Sequence, residues 1–301
     1  MDTSNRYPVV CFGETLWDLL PNGRQAGGAP MNVAYHLQQL GKTPAVISRI
    51  GFDELGKQLI ETLEAKKINT EFFQMDEVKP TSVVTAEIRG GHEVVYNIVE
   101  DVAWDYIACN AELEALVAQA RHFVFGTLST RSKTTRDTLF QLLPFARNKV
   151  LDINLRPPFY NRNIIETLLS AATMVKMNKA ELELITGWFS PLSNEIDRIK
   201  ILKERFEIDT IVVTCGGDGA IFNHGAEYVT CEGISVPVAD TVGSGDAFLA
   251  GIIAKMSEGA PLRDTLAFAN QLAAFVTTQK GACSDYQLSA IYRLPVLNAS
   301  V

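Results

Sequence analysis

The sequence predicts an α/β protein, a mostly parallel sheet covered by helices on both faces. Three observations carry this. Short β-rich apolar runs alternate with helical patterns along most of the 301 residues, as a sheet with helical crossovers requires. Asp240-Thr241-Val242-Gly243-Ser244-Gly245-Asp246-Ala247-Phe248 sets a glycine turn at the start of an amphipathic helix. The stretch 81–100 alone breaks the alternation, with two β-rich segments in succession.

Taken in order, Val9–Phe12 is an apolar strand ending at Gly13. Thr15–Leu20 follows, and Gly27-Gly28 leads into a helical pattern over Met31–Leu40. Ala45–Ile50 is the next strand, and Asp53 is placed to cap the helix Glu54–Lys66. Thr81–Arg89 and Glu93–Glu100 are joined by Gly90-Gly91, a good hairpin turn. Val83, Thr85 and Glu87 alternate with Val84, Ala86 and Ile88, which gives the hairpin one covered face. With no helix between them, these segments are expected to join 15–20 in a small projecting sheet. The alternative is an antiparallel extension of the main sheet's edge.

The alternation then resumes. Helix Glu112–Ala120, strand His122–Phe125, helix Thr134–Phe145 and strand Lys149–Ile153 follow one another. Helix Ile164–Ala171 leads to strands Met174–Met177 and Thr210–Thr214. Two long helical patterns, Gly245–Ser257 and Leu262–Gln279, close the chain. The length suits one large domain, so 1–301 is read as a single unit.

Composition narrows the function. Apolar residues make up 47% and charged residues 21%, so a well-buried core is expected and disorder is not. The formal net charge of −8 offers little of the phosphate attraction that drives nucleic-acid binding. Five cysteines, Cys11, Cys109, Cys215, Cys231 and Cys283, are widely spaced with no C-x-x-C. That argues against a disulfide framework or structural zinc and for a reducing cytoplasm. Neither a signal peptide nor an apolar run of about 18 residues is found, so no membrane association is expected. The four histidines show no metal spacing.

The chemistry concentrates around Asp246. Glycines at a helix start let backbone N–H groups converge on an anion, and the helix dipole adds positive potential there. A carboxylate would repel that anion, yet it suits taking a proton from a hydroxyl that attacks a phosphate. Gly243, Ser244 and Gly245 then form an anion hole with Asp246 as the base beside it. The plainer reading is a capped helix start.

Other constellations fit the same picture. Asp18, after the first strand, can accept hydrogen bonds from vicinal hydroxyls, or simply form a turn. Gly27 and Gly28 allow close backbone approach, and Asn32 in the first helical turn offers donor and acceptor; a loop-to-helix junction explains them too. Asp152-Ile153-Asn154-Leu155-Arg156-Pro157-Pro158 ends a strand where α/β sheets present ligands. Arg156 could serve a substrate, serve ATP, or pair with Asp152. Asn178 and Glu181 share a helix face, either as an outer-shell hold on Mg²⁺ or as a capping box. Thr214-Cys215-Gly216-Gly217-Asp218-Gly219 is a glycine-rich turn after a strand. Neither G-x-x-x-x-G-K-[ST] nor a dinucleotide fingerprint occurs, which argues against a dehydrogenase.

The Asp240–Phe248 stretch resembles the signature D-T-x-G-[AS]-G-D-x-F of the ribokinase (PfkB-type) carbohydrate kinases. Gly27–Asn32 resembles that family's G-G-x-x-x-N, Asn178–Glu181 its N-x-x-E, and Thr214–Gly219 its T-x-G-x-x-G. The motifs run in family order from Gly13 to Gly281. The resemblance implies a ribokinase-like three-layer α/β/α sandwich with a β-lid formed by about 15–20 and 81–100. It implies transfer of the ATP γ-phosphoryl group to a primary sugar hydroxyl, with ATP and Mg²⁺ and, in many members, K⁺. Asp18, Gly27, Gly28, Asn32, Asn154 and Arg156 would bind the sugar. Asn178, Thr214, Gly216, Gly219 and Asn270 would bind the nucleotide. Glu181 would reach Mg²⁺ through water, and Asp240 with the Val242 carbonyl would hold a monovalent cation. Gly13–Asp18, Gly27–Asn32 and Asn154–Pro158 look most like fructokinases, with 2-keto-3-deoxygluconate kinases second. A phosphosugar kinase would need cations such as Arg24, Arg89 or Arg131; a nucleoside kinase would use Trp17, Tyr96 or Trp104. An inactive sugar-sensing relative is the other class. Lid strands in this family often pair between subunits, which implies a homodimer.

Overall fold

The computed structural model describes residues 6–20, 23–89, 93–191 and 194–294, side chains at 20, 86–89 and 93–96 excepted. The Gly90-Gly91 turn and His92 lie outside the described residues, as do the side chains of Arg89 and Tyr96.

The strands are β1 (Val9–Phe12), β2 (Leu16–Leu20), β3 (Gly23–Gly27), β4 (Pro44–Gly51), β5 (Phe73–Asp76), β6 (Val83–Arg89) and β7 (Glu93–Ile98). They continue with β8 (His122–Gly126), β9 (Asn148–Asp152), β10 (Met174–Asn178), β11 (Thr210–Thr214), β12 (Ala220–His224) and β13 (Glu227–Cys231). The helices are α1 (Ala29–Gln39), α2 (Glu54–Ala65), α3 (Ala111–Gln119), α4 (Lys133–Leu142) and α5 (Arg162–Ala171). After them come α6 (Lys179–Gly187), α7 (Glu195–Phe206), α8 (Ser244–Ser257), α9 (Leu262–Thr277) and the short α10 (Leu288–Ile291).

Nine strands form one sheet in the order β13-β12-β11-β10-β9-β8-β1-β4-β5. The run from β11 to β5 is parallel, and β12 and β13 extend it antiparallel. Chain order reverses at β1, which lies between β8 and β4. Ligands bind at such reversals, beyond the carboxyl ends of the strands.

Period-2 alternation splits the core between the two faces. Val10 and Phe12 join one buried cluster with residues of α3, α4, α5, α6 and α7. Val9 and Cys11 join the other, with α1, α2, α8 and α9. The result is the expected three layers.

A separate four-stranded sheet, ordered β3-β2-β6-β7, is the small projecting sheet. It is no edge extension of the large one. Strand β2 pairs in parallel with β6, Trp17 opposite Val83, and antiparallel with β3. Strand β3 was not foreseen because Gly23-Arg24-Gln25-Ala26-Gly27 has neither an apolar run nor an alternation. Asp53 caps α2 through the Gly56 N–H at 2.7 Å and also accepts from the Thr81 N–H at 2.8 Å, anchoring the segment that enters β6. The helix expected over Thr134–Phe145 is α4 followed by a separate 3₁₀ turn. Pro144 lies at that junction and has no N–H to continue the ladder.

Candidate active site

The site is built at the start of α8. Gly243 takes φ 79°, which favours glycine, and a Cβ there would lie 2.5 Å from the Ala282 Cβ. The turn thus packs directly on the 281–285 loop. Asp240 shapes it further, accepting from the Val242 N–H through one oxygen and from the Gly281 N–H through the other, both at 3.0 Å. The Val242 N–H is therefore engaged, and the Ser244 N–H makes a long 3.3 Å bond to the Thr241 carbonyl. Neither Gly243 N nor Gly245 N has an acceptor among the described residues.

Asp246 lies in the first turn of α8, 8% exposed. Its Oδ2 accepts from Asn32 Nδ2 at 2.8 Å, joining α8 to α1 across 214 residues of chain. Burial, followed by the nearby Asp152 carboxylate, raises its pKa to about 6 against the opposing pull of Lys176, Asn32 and Arg156.

Of two residues beneath it, Lys176 escaped the sequence reading of the site, and Asp152 entered it only as a partner for Arg156. Lys176 on β10 sits opposite Asp152 on β9, and its Nζ lies 3.1 and 3.2 Å from the two carboxylate oxygens. Alternation places both on the α1–α8 face, since Val150 and Met174, two residues before each, belong to that face's cluster. A Cβ on Gly245 would lie 2.9 Å from Lys176 Nζ, so glycine lets the helix start sit over the ammonium without displacing it. The signal was there: a lysine inside the apolar run Met174–Met177. Lys176 also takes the ion-pair partner that Arg156 was allowed. Arg156 instead is exposed and donates to the Leu155 carbonyl at 3.2 Å.

Glu181 accepts from the Asn178 N–H and the Leu155 N–H, each at 2.8 Å, while its own N–H donates to Asn178 Oδ1 at 2.8 Å. The capping box is present, and the same carboxylate ties down the Asn154–Arg156 turn.

Two cavities meet at this point. One, about 390 Å³, is lined by Asp18, Gly28, Asn32, Asn154, Arg156 and Asp246, together with the turn of α8. The other, about 410 Å³, is lined by Gly216, Gly219, Val236, Phe248, Asn270 and Thr277. Thr214, Thr241, Ser244 and Gly245 line both. Asn178, read as a nucleotide residue, faces the first cavity. Gly27 lies just behind it: a Cβ there would meet Asp18 Oδ2 at 2.1 Å. Asn270 also holds the second cavity's wall, donating to the Glu232 carbonyl at 2.8 Å. The arrangement can hold two ligands end to end, with a base on one side of their junction and free N–H groups at it.

Comparison with known proteins agrees with that geometry. The sequence model of the pfkB family carbohydrate kinases matches residues 9–288. The chain belongs to this family. Carbohydrate kinases similar to it include a probable fructokinase-7 of Arabidopsis thaliana, 27% identical over 91% of this chain and 88% of that one. A fructokinase of Salmonella typhimurium is 28% identical over 91% of this chain and 94% of that one. Among solved structures, a fructokinase double mutant from Vibrio cholerae with bound fructose, ADP and potassium has a TM-score of 0.81 at 22% identity, covering 97% of this chain and 99% of that one. The ATP-bound fructokinase of Xylella fastidiosa has a TM-score of 0.83 at 21% identity, covering 95% and 97%. This carbohydrate kinase therefore has the ribokinase-like fold that its motifs implied. Among the described residues, no helix is long and apolar enough to cross a membrane.

Proposed function

We propose that this carbohydrate kinase is a fructokinase, transferring the γ-phosphoryl group of ATP to the primary 6-hydroxyl of D-fructose. The observation that carries the transfer is the meeting of the two cavities at the turn of α8, with Asp246 lining the acceptor side. Fructose as acceptor rests on the fructokinase relatives and on the acceptor cavity.

That cavity is sized for a small ligand, at the lower end of ligand pockets. Leu16, Val84, Ile98 and Leu128 supply its apolar walls, and Asp18, Asn32, Asn154 and Arg156 supply hydrogen-bonding groups. Among the described side chains, the features that would suit other acceptors point elsewhere. Arg131 is buried against Asp105 at 2.7 Å and stacks on Trp104, so it is no phosphate ligand. Arg24 bonds Gln58 and stacks on Trp17. Trp17 donates to the Leu55 carbonyl at 3.0 Å, and Trp104 is fully buried; neither is free to stack on a base.

Asp246 takes the proton of the acceptor hydroxyl as its oxygen attacks the γ-phosphorus, and the bond to the bridging oxygen of ADP breaks. Charge on the transferring group falls to the Gly243 and Gly245 N–H groups and the dipole of α8. Lys176 supplies positive charge beneath the junction and keeps Asp152 from crowding Asp246. Mg²⁺ would be held by the protein here only through water. Each Glu181 oxygen accepts one backbone N–H bond and keeps a lone pair for a water, and no group of three or more His, Cys, Asp or Glu among the described residues could hold a metal. Glu181 would hold Mg²⁺ through water, and the ion would supply charge that neutralises the nucleotide phosphates. Asp240 and the Val242 carbonyl would hold K⁺ behind the turn. Gly216, Gly219, Thr214 and Asn270 would line the nucleotide, and a homodimer paired through the lid sheet, acting in the cytoplasm, completes the reading.

Coupled ADP release against a panel of fructose, 2-keto-3-deoxygluconate, ribose, fructose 6-phosphate and adenosine tests this. Turnover strongest with fructose is expected. Turnover confined to the keto-acid would keep the mechanism and assign Arg156 to a carboxylate.

A further inference from the structure

Behind Asn32 lies a second contact that the proposed reaction does not by itself require. Cys283 Sγ is placed to donate to Asn32 Oδ1 at 3.2 Å, on the far end of the amide that donates to Asp246. Burial pushes the Cys283 thiol up, so it stays an S–H donor. A carboxylate accepts and a thiol donates, so these neighbours together select one amide orientation, Nδ2 toward Asp246 and Oδ1 toward Cys283. The turn that carries Cys283 is itself held by α1. Tyr35 OH donates to the Ser284 carbonyl at 2.9 Å, His36 Nε2 lies 3.0 Å from the Ala282 carbonyl, and Lys66 of the residue following α2 donates to the Cys283 carbonyl at 2.8 Å.

We propose that Cys283 is a positioning residue for the base, its S–H fixing the Asn32 amide in the orientation that presents Nδ2 to Asp246. This rests on the reading of Asp246 as the base. Without the thiol, Oδ1 loses its donor, Asp246 alone holds the amide in place, and the bond that favours the charged, proton-accepting form of Asp246 weakens. The other groups facing Asp246 stay in place: Asp152 from β9, Lys176 from β10, Arg156 from the turn after β9, and Glu14 and Asp18 around β2.

The test compares Cys283→Ala and Cys283→Ser with the parent enzyme and with Asp246→Asn. Turnover with Mg·ATP and fructose is followed across pH, alongside thermal unfolding. Cys283→Ala should lower kcat by about 3–10-fold, the worth of one hydrogen bond. It should also move the acid limb of kcat/KM to higher pH and leave the KM for ATP unchanged. Cys283→Ser, which keeps a donor, should restore both. A merely structural thiol would give a lower melting temperature with the acid limb unmoved, or equal defects in the two variants, and either result overturns the proposal. Substantial turnover by Asp246→Asn would instead overturn the base assignment itself, which separates the two failures.

Discussion

Lys176 Nζ lies 3.1 Å from Asp152 Oδ1, and both residues are buried. Removing the cation alone would leave Asp152 buried and unpaired beside Asp246. Lys176→Met is therefore expected to destabilise the protein by about 3–5 kcal/mol, as breaking a buried pair does. Turnover should fall by at least about 100-fold in whatever remains folded, because the base is then harder to ionise. Adding Asp152→Asn should recover much of the melting temperature and little of the activity.

The acid limb of kcat/KM should report the carboxylates of the free enzyme. The Asp246 pKa is raised to about 6, foremost by burial, as is that of Asp18; burial raises Glu14 to about 7. A base works only when deprotonated. Activity should thus be full above about pH 7 and fall through about pH 6, with apparent values that belong to the coupled cluster. Titration of kcat/KM across that window checks it; a flat profile down to about pH 4, where an ordinary aspartate titrates, would contradict it.

A raised carboxyl also has a cost in stability. Its folded-state pKa lies above the unfolded value, so the stability it contributes is full below about pH 4 and lost as pH rises through about 6. Asp246→Asn removes the charge and keeps an acceptor for Asn32. The unliganded variant should be more stable than the parent near pH 8, by up to about 3 kcal/mol, with the gain vanishing toward pH 4. Urea unfolding at the two pH values measures it.

Gly27 and Gly28 separate binding from folding. A Cβ at Gly27 meets the movable end of Asp18, whereas one at Gly28 meets the Glu14 carbonyl at 2.2 Å with φ at 115°. Gly27→Ala should raise the KM for fructose by about 10–100-fold, the worth of a displaced charged hydrogen bond, and leave the KM for ATP alone. Gly28→Ala should show its effect in the melting temperature. Steady-state kinetics and thermal melts of the pair check this.

Much of this was legible in the sequence, for local reasons. The turn of α8 and Asp246 are contiguous, and Asp53 and Asn178 cap the helices that directly follow them, so the physics sits within a few residues. What stayed hidden depended on tertiary register. Lys176 and Asp152 meet because two parallel strands align. Cys283 reaches Asn32 across 251 residues, and the cavity that Asn178 faces depends on how β10 sits beside the turn of α8. Strand β3 hid because its residues pair with β2 through the backbone and bring no apolar pattern of their own.

Asp246 stands as the base at the junction of two ligands. Turnover of Asp246→Asn with Mg·ATP and fructose, measured beside its ATP affinity by calorimetry, tests it most directly. A loss of about 10²–10⁴-fold in kcat with ATP affinity nearly unchanged is expected. Near-normal turnover by that variant would contradict it.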